Sequence, residues 1–189
     1  MRLGVGAALV DGELLPGDVE VVDGRVAAVG LAGAAGRGIA IPGFVDLQVN
    51  GYAGVDFSTA TEDEWRGARS ALLRDGVTAF QPTFVTAGLD EMRAALTRMP
   101  PASADGGGAR IVGAHLEGPF LSSRRPGAHD PEALLAPDVA ALEELVAVAP
   151  VSQVTLAPEL PGALDLADAL VARGVTVSCG HTEADAVAA

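Results

Sequence analysis

Two short segments of this chain carry side chains of the kind that hold a metal ion. In A-H-L-E-G-P-F, Ala114 to Phe120, the apolar residues Ile111, Val112 and Leu116 lead to Glu117, and Gly118-Pro119 stops the run at once. In C-G-H-T, Cys179 to Thr182, Val175 and Val177 lead to His181, and Thr182 reads as a helix cap. Each segment reads as a buried strand with a ligand-type group at its carboxyl end. A carboxylate and an imidazole so placed suit a divalent cation at the mouth of a parallel barrel, which makes a hydrolase the leading expectation.

Taken singly, each residue also has a plainer reading. A carboxylate at the end of a buried strand is costly unless it is paired or metal-bound, so an arginine beside Glu117 would serve as well. For His181 the plainer reading is a core histidine bonded to backbone. Their shared placement at strand ends is what favours the metal. His115, two residues before Glu117, falls on the same strand face one layer below, and reads as core or support rather than ligand. Cys179 bears the same relation to His181 and reads as a buried, inert thiol. His129 lies in the loop Arg124–Asp130 just after the Glu117 strand, where it binds substrate or is simply solvated. Gln48 and Asn50 share one strand face, where two histidines would make a His-x-His metal pair. Amides are poor ligands for zinc or iron and work by hydrogen bonding, which predicts one metal rather than two.

The elements that must position these residues follow a strand–helix rhythm. Apolar runs predict strands at Phe44–Val49, Val77–Phe84, Ile111–Leu116, Val154–Leu156 and Val175–Ser178. Thr61 with Glu64 is a capping box opening a helix through Trp65, Ala68, Leu72 and Leu73, closed by Gly76. Leu89–Met99 reads as a second helix. Pro137 at a first helical position opens a third over Val139–Val148. Leu164–Arg173, closed by Gly174, is a fourth, and Thr182 with Asp185 caps a fifth. Such repetition predicts a parallel sheet covered by helices, with about five of the eight units of a (β/α)₈ TIM barrel. An open doubly wound sheet is the alternative, weakened because no G-x-G-x-x-G follows the first strand. Asp105-Gly106-Gly107-Gly108 precedes a strand and reads as a linker. Before residue 41 the chain differs. Val-rich runs around Asp23-Gly24 predict a hairpin in a small β element, a partial β-sandwich, over residues 1–40, with the barrel part over 41–189.

Composition narrows the function classes. A net charge of −13 over 189 residues speaks against nucleic acid and anionic membrane surfaces. The single cysteine excludes an internal disulfide framework and fits a reducing cytoplasm. No apolar run approaches the roughly 18 residues of a membrane helix, and the start lacks a signal-peptide pattern, so a soluble cytoplasmic protein is expected.

In order, I-P-G-F-V-D-L-Q-V-N-G-Y-A-G-V-D-F, A-H-L-E-G-P-F, P-G-A-H, V-T-L-A-P-E and V-S-C-G-H-T closely resemble the N-acetylglucosamine-6-phosphate deacetylase family of the amidohydrolase superfamily. These motifs span Ile41 to Thr182. The superfamily at large has His-x-His on its first strand, whereas this family commonly shows the Gln-x-Asn of Gln48 and Asn50. The resemblance implies Glu117 and His181 as ligands of one divalent metal ion, zinc foremost, with iron or another divalent cation as the variants. It implies that Ala128 and His129 contact the sugar. The implied reaction is metal-dependent removal of acetate from N-acetylglucosamine 6-phosphate, giving glucosamine 6-phosphate, in amino-sugar catabolism. The implied partner is a small amino-sugar phosphate, with no nucleic acid, no membrane, and room for a homodimer of the full-length enzyme. The family's next metal histidine and its catalytic aspartate lie on later strands, and neither has a counterpart in this sequence. The catalytic residue is therefore unassigned. The chain is expected to be an amino-terminal portion, inactive and poorly folded when isolated. Two rivals stand beside this reading. One is another amidohydrolase of dihydroorotase or deaminase type, which Gln48 and Asn50 oppose. The other is a non-catalytic remnant that binds sugar or a partner subunit.

Overall fold

The computed structural model describes residues 1–33, 36–101 and 107–187. The chain divides into two compact units, Met1–Gly43 and Phe44–Ala189.

The first unit is built from short strands and tight turns. Strands β1 (Ala7–Val10) and β2 (Glu13–Pro16) pair antiparallel, β3 (Asp18–Val22) pairs antiparallel with β4 (Arg25–Leu31), and β5 (Ile39–Ala40) runs parallel to β1. Asp23 and Gly24 take positive φ, 50° and 71°, the twist that closes a two-residue hairpin. The buried Asp18 carboxylate accepts from the N–H groups of Gly4, Val5 and Val19. Burial pushes that carboxyl up, but these three donors outweigh it and hold it below the ordinary value.

In the second unit β6 (Phe44–Val49) opens a parallel sheet. A small antiparallel ribbon, β7 (Gly51–Tyr52) with β8 (Val55–Asp56), then leads to helix α1 (Glu62–Arg74). After it come β9 (Val77–Val85), α2 (Leu89–Arg98), β10 (Arg110–Ile111), β11 (Ala114–Glu117), α3 (Val139–Val146), β12 (Val151–Leu156), α4 (Ala163–Ala172) and β13 (Thr176–Cys179). Strand β9 pairs in parallel with β6 on one side and with β10 and β11 on the other. Then β11 pairs with β12 and β12 with β13, again in parallel. Counting β10 and β11 as one interrupted strand, five strands follow each other in chain order. The unit is a curled parallel half-barrel with its helices outside, an incomplete (β/α)₈ TIM barrel.

Local sequence accounts for the elements and for the departures. The Thr61–Glu64 capping box forms as expected, and Gly76 takes φ 91° just past the helix end. The third strand is broken where Gly113, φ 131°, sits so close to Ser152 that a Cβ would lie 2.6 Å from its Oγ. Pro137 does not open α3. Asp138 is the cap, its carboxylate accepting from Ala140 N and Ala141 N, so Pro137 stays outside the helix. The expected fifth helix is absent over residues 182–187, which form turns. Of the expected linker, Asp105 and Gly106 lie outside the described residues.

The core lies between the sheet and α1–α4 and includes Trp65, Phe80, Leu96, Leu116, Leu142 and Leu166. Trp65 is fully buried and stacks on Phe57 with ring centroids 4.3 Å apart. Strand β6 departs from the all-buried pattern. Among the described residues it pairs only with β9, and Phe44, Val45 and Leu47 are 60%, 59% and 54% exposed. Pro82 in β9 has no N–H to offer the ladder, the register slips between Asp46 and Val49, and Val49 N–H turns to the Thr83 hydroxyl instead. Among the described residues, no helix is long and apolar enough to cross a membrane.

Candidate metal centre

Glu117 is the last residue of β11, and His181 stands two residues past β13. Their side chains meet, with Glu117 Oε1 3.0 Å from His181 Nε2. His129, from the loop after β11, brings its Nε2 to 3.8 Å from the same oxygen. Its ring stands edge-on to that of His181, with centroids 4.4 Å apart. One ligand atom from each of the three residues lies within 4.8 Å of the others. Gln48, on β6, donates from Nε2 to Glu117 Oε2 at 3.2 Å. Strands β6, β11 and β13 are first, third and fifth in the sheet. Alternate strands of a parallel barrel send side chains into the same layer, so residues two strands apart can touch.

The two imidazoles are held differently. His181 Nδ1 lies 3.0 Å from the carbonyl oxygen of Arg125. A carbonyl only accepts, so Nδ1 donates to it, and a ring carrying that one proton presents its Nε2 lone pair. That lone pair faces Glu117 Oε1, itself an acceptor. Two acceptors 3.0 Å apart repel unless a proton or a cation lies between them. His129 has the reverse polarity. Its Nδ1 accepts from Thr86 N–H at 3.3 Å, which places its proton on Nε2. His129 is buried, and that burial pushes its imidazole below the ordinary pKa, with the Glu117 carboxylate opposing only in part. It is a neutral donor at the rim of the cluster.

The donor set suits a divalent ion. Oxygen and nitrogen atoms about 2.0–2.1 Å from one zinc ion in a tetrahedron lie roughly 3.4 Å apart. The 3.0 Å between Glu117 Oε1 and His181 Nε2 is a little shorter than that spacing.

Three loops brace the cluster. Ser122 N–H donates to the carbonyl of His181, whose φ of 50° is left-handed. The Glu159 carboxylate, in the loop after β12, accepts from the Thr182 hydroxyl and from Glu183 N–H. A Cβ on Gly127, itself at φ 57°, would lie 2.9 Å from His181 Cε1, so only glycine leaves room for that ring. The Thr86 hydroxyl donates to the Glu117 carbonyl at 3.0 Å. Below Glu117, His115 is buried between the Thr83 hydroxyl at 3.2 Å and the Thr155 hydroxyl at 2.7 Å. It serves as a strap across β9, β11 and β12.

Several sequence expectations change here. His129 is not solvated; it is buried against Glu117 and His181. Ala128, beside it, is exposed. Cys179 is exposed rather than buried, because among the described residues β13 pairs only with β12. Asn50 lies just past β6 and lines a shallow cavity with Gly51, Thr83 and Val85, apart from Gln48. The bracing roles of Thr86, Gly127, Glu159 and the Arg125 carbonyl were missed. The V-T-L-A-P-E segment offered the one available signal, an acidic residue just beyond a strand end.

No protein-family model matches the chain. It is 42% identical over 161 residues to the N-acetylglucosamine-6-phosphate deacetylase of Homo sapiens, a match covering 82% of this chain and 39% of that protein. The crystal structure of N-acetyl-D-glucosamine-6-phosphate deacetylase from Mycobacterium smegmatis is similar, with a TM-score of 0.83 and 39% identity over 95% of this chain and 49% of the other. A mutant of that enzyme in complex with N-acetyl-D-glucosamine-6-phosphate gives a TM-score of 0.82 at 38% identity, covering 95% of this chain and 49% of that one. The chain thus spans less than half the length of these proteins. In sequence and in fold it is a relative of the N-acetylglucosamine-6-phosphate deacetylase family, matching the amino-terminal portion of its members.

Proposed function

We propose that the chain supplies the metal-holding half of a deacetylase acting on N-acetylglucosamine 6-phosphate or a close amino-sugar phosphate. In this reading Glu117 Oε1 and His181 Nε2 hold one divalent cation, zinc foremost. When bound, such an ion supplies Lewis acidity toward an amide carbonyl and toward water. His129 donates from Nε2 to an oxygen of the sugar, and exposed Ala128 beside it lines the sugar's approach. The Arg125 carbonyl keeps the His181 proton on Nδ1 and so keeps Nε2 free. The burial of His129 and the Thr86 N–H keep its imidazole neutral and turned as a donor. Amide hydrolysis also needs a group that takes a proton from water and returns it to the leaving amine. No residue of this cluster is free for that role. The units Met1–Gly43 and Phe44–Ala189 correspond, on the same reading, to a small β-sandwich part and to the barrel part. A soluble protein of the cytoplasm and of amino-sugar metabolism completes the proposal.

The carrying observation is the meeting of Glu117 Oε1 and His181 Nε2 at 3.0 Å, with His181 Nδ1 turned away to the Arg125 carbonyl. The test is calorimetric titration of the chelator-treated chain with Zn²⁺ and Co²⁺. Saturable binding of one equivalent, lost in Glu117→Gln, is the expected result. Absence of saturable binding by a chain that melts cooperatively overturns the proposal. The cobalt-loaded chain is then titrated with N-acetylglucosamine 6-phosphate, and a change in the visible cobalt spectrum is expected.

A further inference from the structure

The two oxygens of Glu117 have different surroundings. Oε1 faces His181 Nε2 at 3.0 Å and His129 Nε2 at 3.8 Å. Oε2 accepts from the amide of Gln48 at 3.2 Å, across the full width of β9. A carboxylate beside a cation can bind through one oxygen or chelate through both, and the choice changes the coordination number. A donor on the second oxygen favours the one-oxygen mode, and the Gln48 amide nitrogen is such a donor.

We infer that Gln48 is a positioning residue that keeps Glu117 a one-oxygen ligand. The inference rests on the metal reading above and adds a role for a residue outside the ligand set. Three features of the chain support it. Gln48 lies in the same barrel layer as Glu117 and His181, because all three come from alternate strands. Glu117 is only 13% exposed in its side chain, so few donors other than the exposed Gln48 amide reach its carboxylate. The turn of Asp46, whose carboxylate accepts from Gln48 N–H at 3.1 Å, fixes the backbone from which the amide reaches out. Partners of this kind, one bond removed from the metal, typically affect metal affinity by about 10–100-fold.

The test compares the chain with its Gln48→Leu and Gln48→Glu variants, using Co²⁺ alone as the probe. In Gln48→Leu, Glu117 is released to chelate, so the visible absorption of the cobalt-loaded chain weakens as the coordination number rises. The Co²⁺ dissociation constant changes by about tenfold or more. Gln48→Glu keeps the size of the side chain but loses the N–H, so its spectrum also departs from that of the parent chain. Melting of the metal-free chains checks folding, and if Gln48→Leu fails to fold, the isosteric variant decides. Equal spectra and equal dissociation constants across parent and variants overturn the inference while leaving the metal reading intact. Failure of the parent chain to bind Co²⁺ overturns both.

Discussion

The two flanks of the metal-type cluster are built to different standards. On one flank the loops after β11, β12 and β13 lock together. Arg125 and Ser122 hold His181, Glu159 holds the two residues after it, and Thr86 holds both Glu117 and His129. On the other flank β6 presents Gln48 from a strand whose side chains are largely exposed and whose ladder slips at Pro82. On the proposed reading, the braced flank carries the groups that meet one ion. The open flank carries a single amide whose work is to direct one oxygen. Precision in this half-barrel comes from loop-to-loop hydrogen bonds more than from the sheet beneath.

That contrast can be broken, most severely at its centre. Glu117→Gln replaces the proposed anionic ligand by an amide, and Zn²⁺ affinity measured by calorimetry should fall more than about 100-fold, beyond the cost of losing an outer partner. Next is the brace itself. Gly127→Ala drives a methyl against His181 Cε1, and both that clash and the positive φ displace the ring. Zn²⁺ affinity should fall by about tenfold, and an unchanged value would show that the loop yields instead. His129→Ala should leave Zn²⁺ affinity near that of the parent. It should weaken binding of N-acetylglucosamine 6-phosphate to the metal-loaded chain by about 1–3 kcal/mol, the loss of one buried donor. Loss of metal in this variant would instead make His129 a ligand. The smallest effect belongs to the open flank. Leu47→Thr, at a side chain 54% exposed, should alter the melting free energy by no more than about 0.5 kcal/mol and leave the metal site untouched. A large loss there would mean that β6 is covered in solution.

The sequence exposed the half-barrel well, for physical reasons that its failures make plain. The Val, Phe and Leu residues of β9 and β12 mark them as strands even though Gln81, Thr83 and Thr155 are buried among them. Helix α1 declares itself through a capping box, a purely local device. Gly113 breaks the third strand because of Ser152 on the next one, and no local pattern carries that information. The same holds for the site. Glu117 and His181 were legible as strand-end residues. The burial of His129, the protons on each imidazole, and the amide of Gln48 on Glu117 all depend on contacts between segments distant in the chain. Cys179 was misjudged for the converse reason, since a strand with one neighbour leaves exposed what alternation alone would bury.

The parity of the strands has a further consequence. Odd strands deliver Gln48, Glu117 and the turn bearing His181, while the even strands β9 and β12 deliver Thr83 and Thr155, hydroxyls that steady His115, Thr83 also taking the Val49 N–H. Chemistry and rigidity are therefore written into different segments of one sequence. A laboratory evolution campaign could randomise the ends of β6 and β11 to search for new reactivity, and the interiors of β9 and β12 to recover lost stability. Because β9 lies between β6 and β11, and β12 beside β11, gains from the two libraries should couple where the strands touch and add elsewhere.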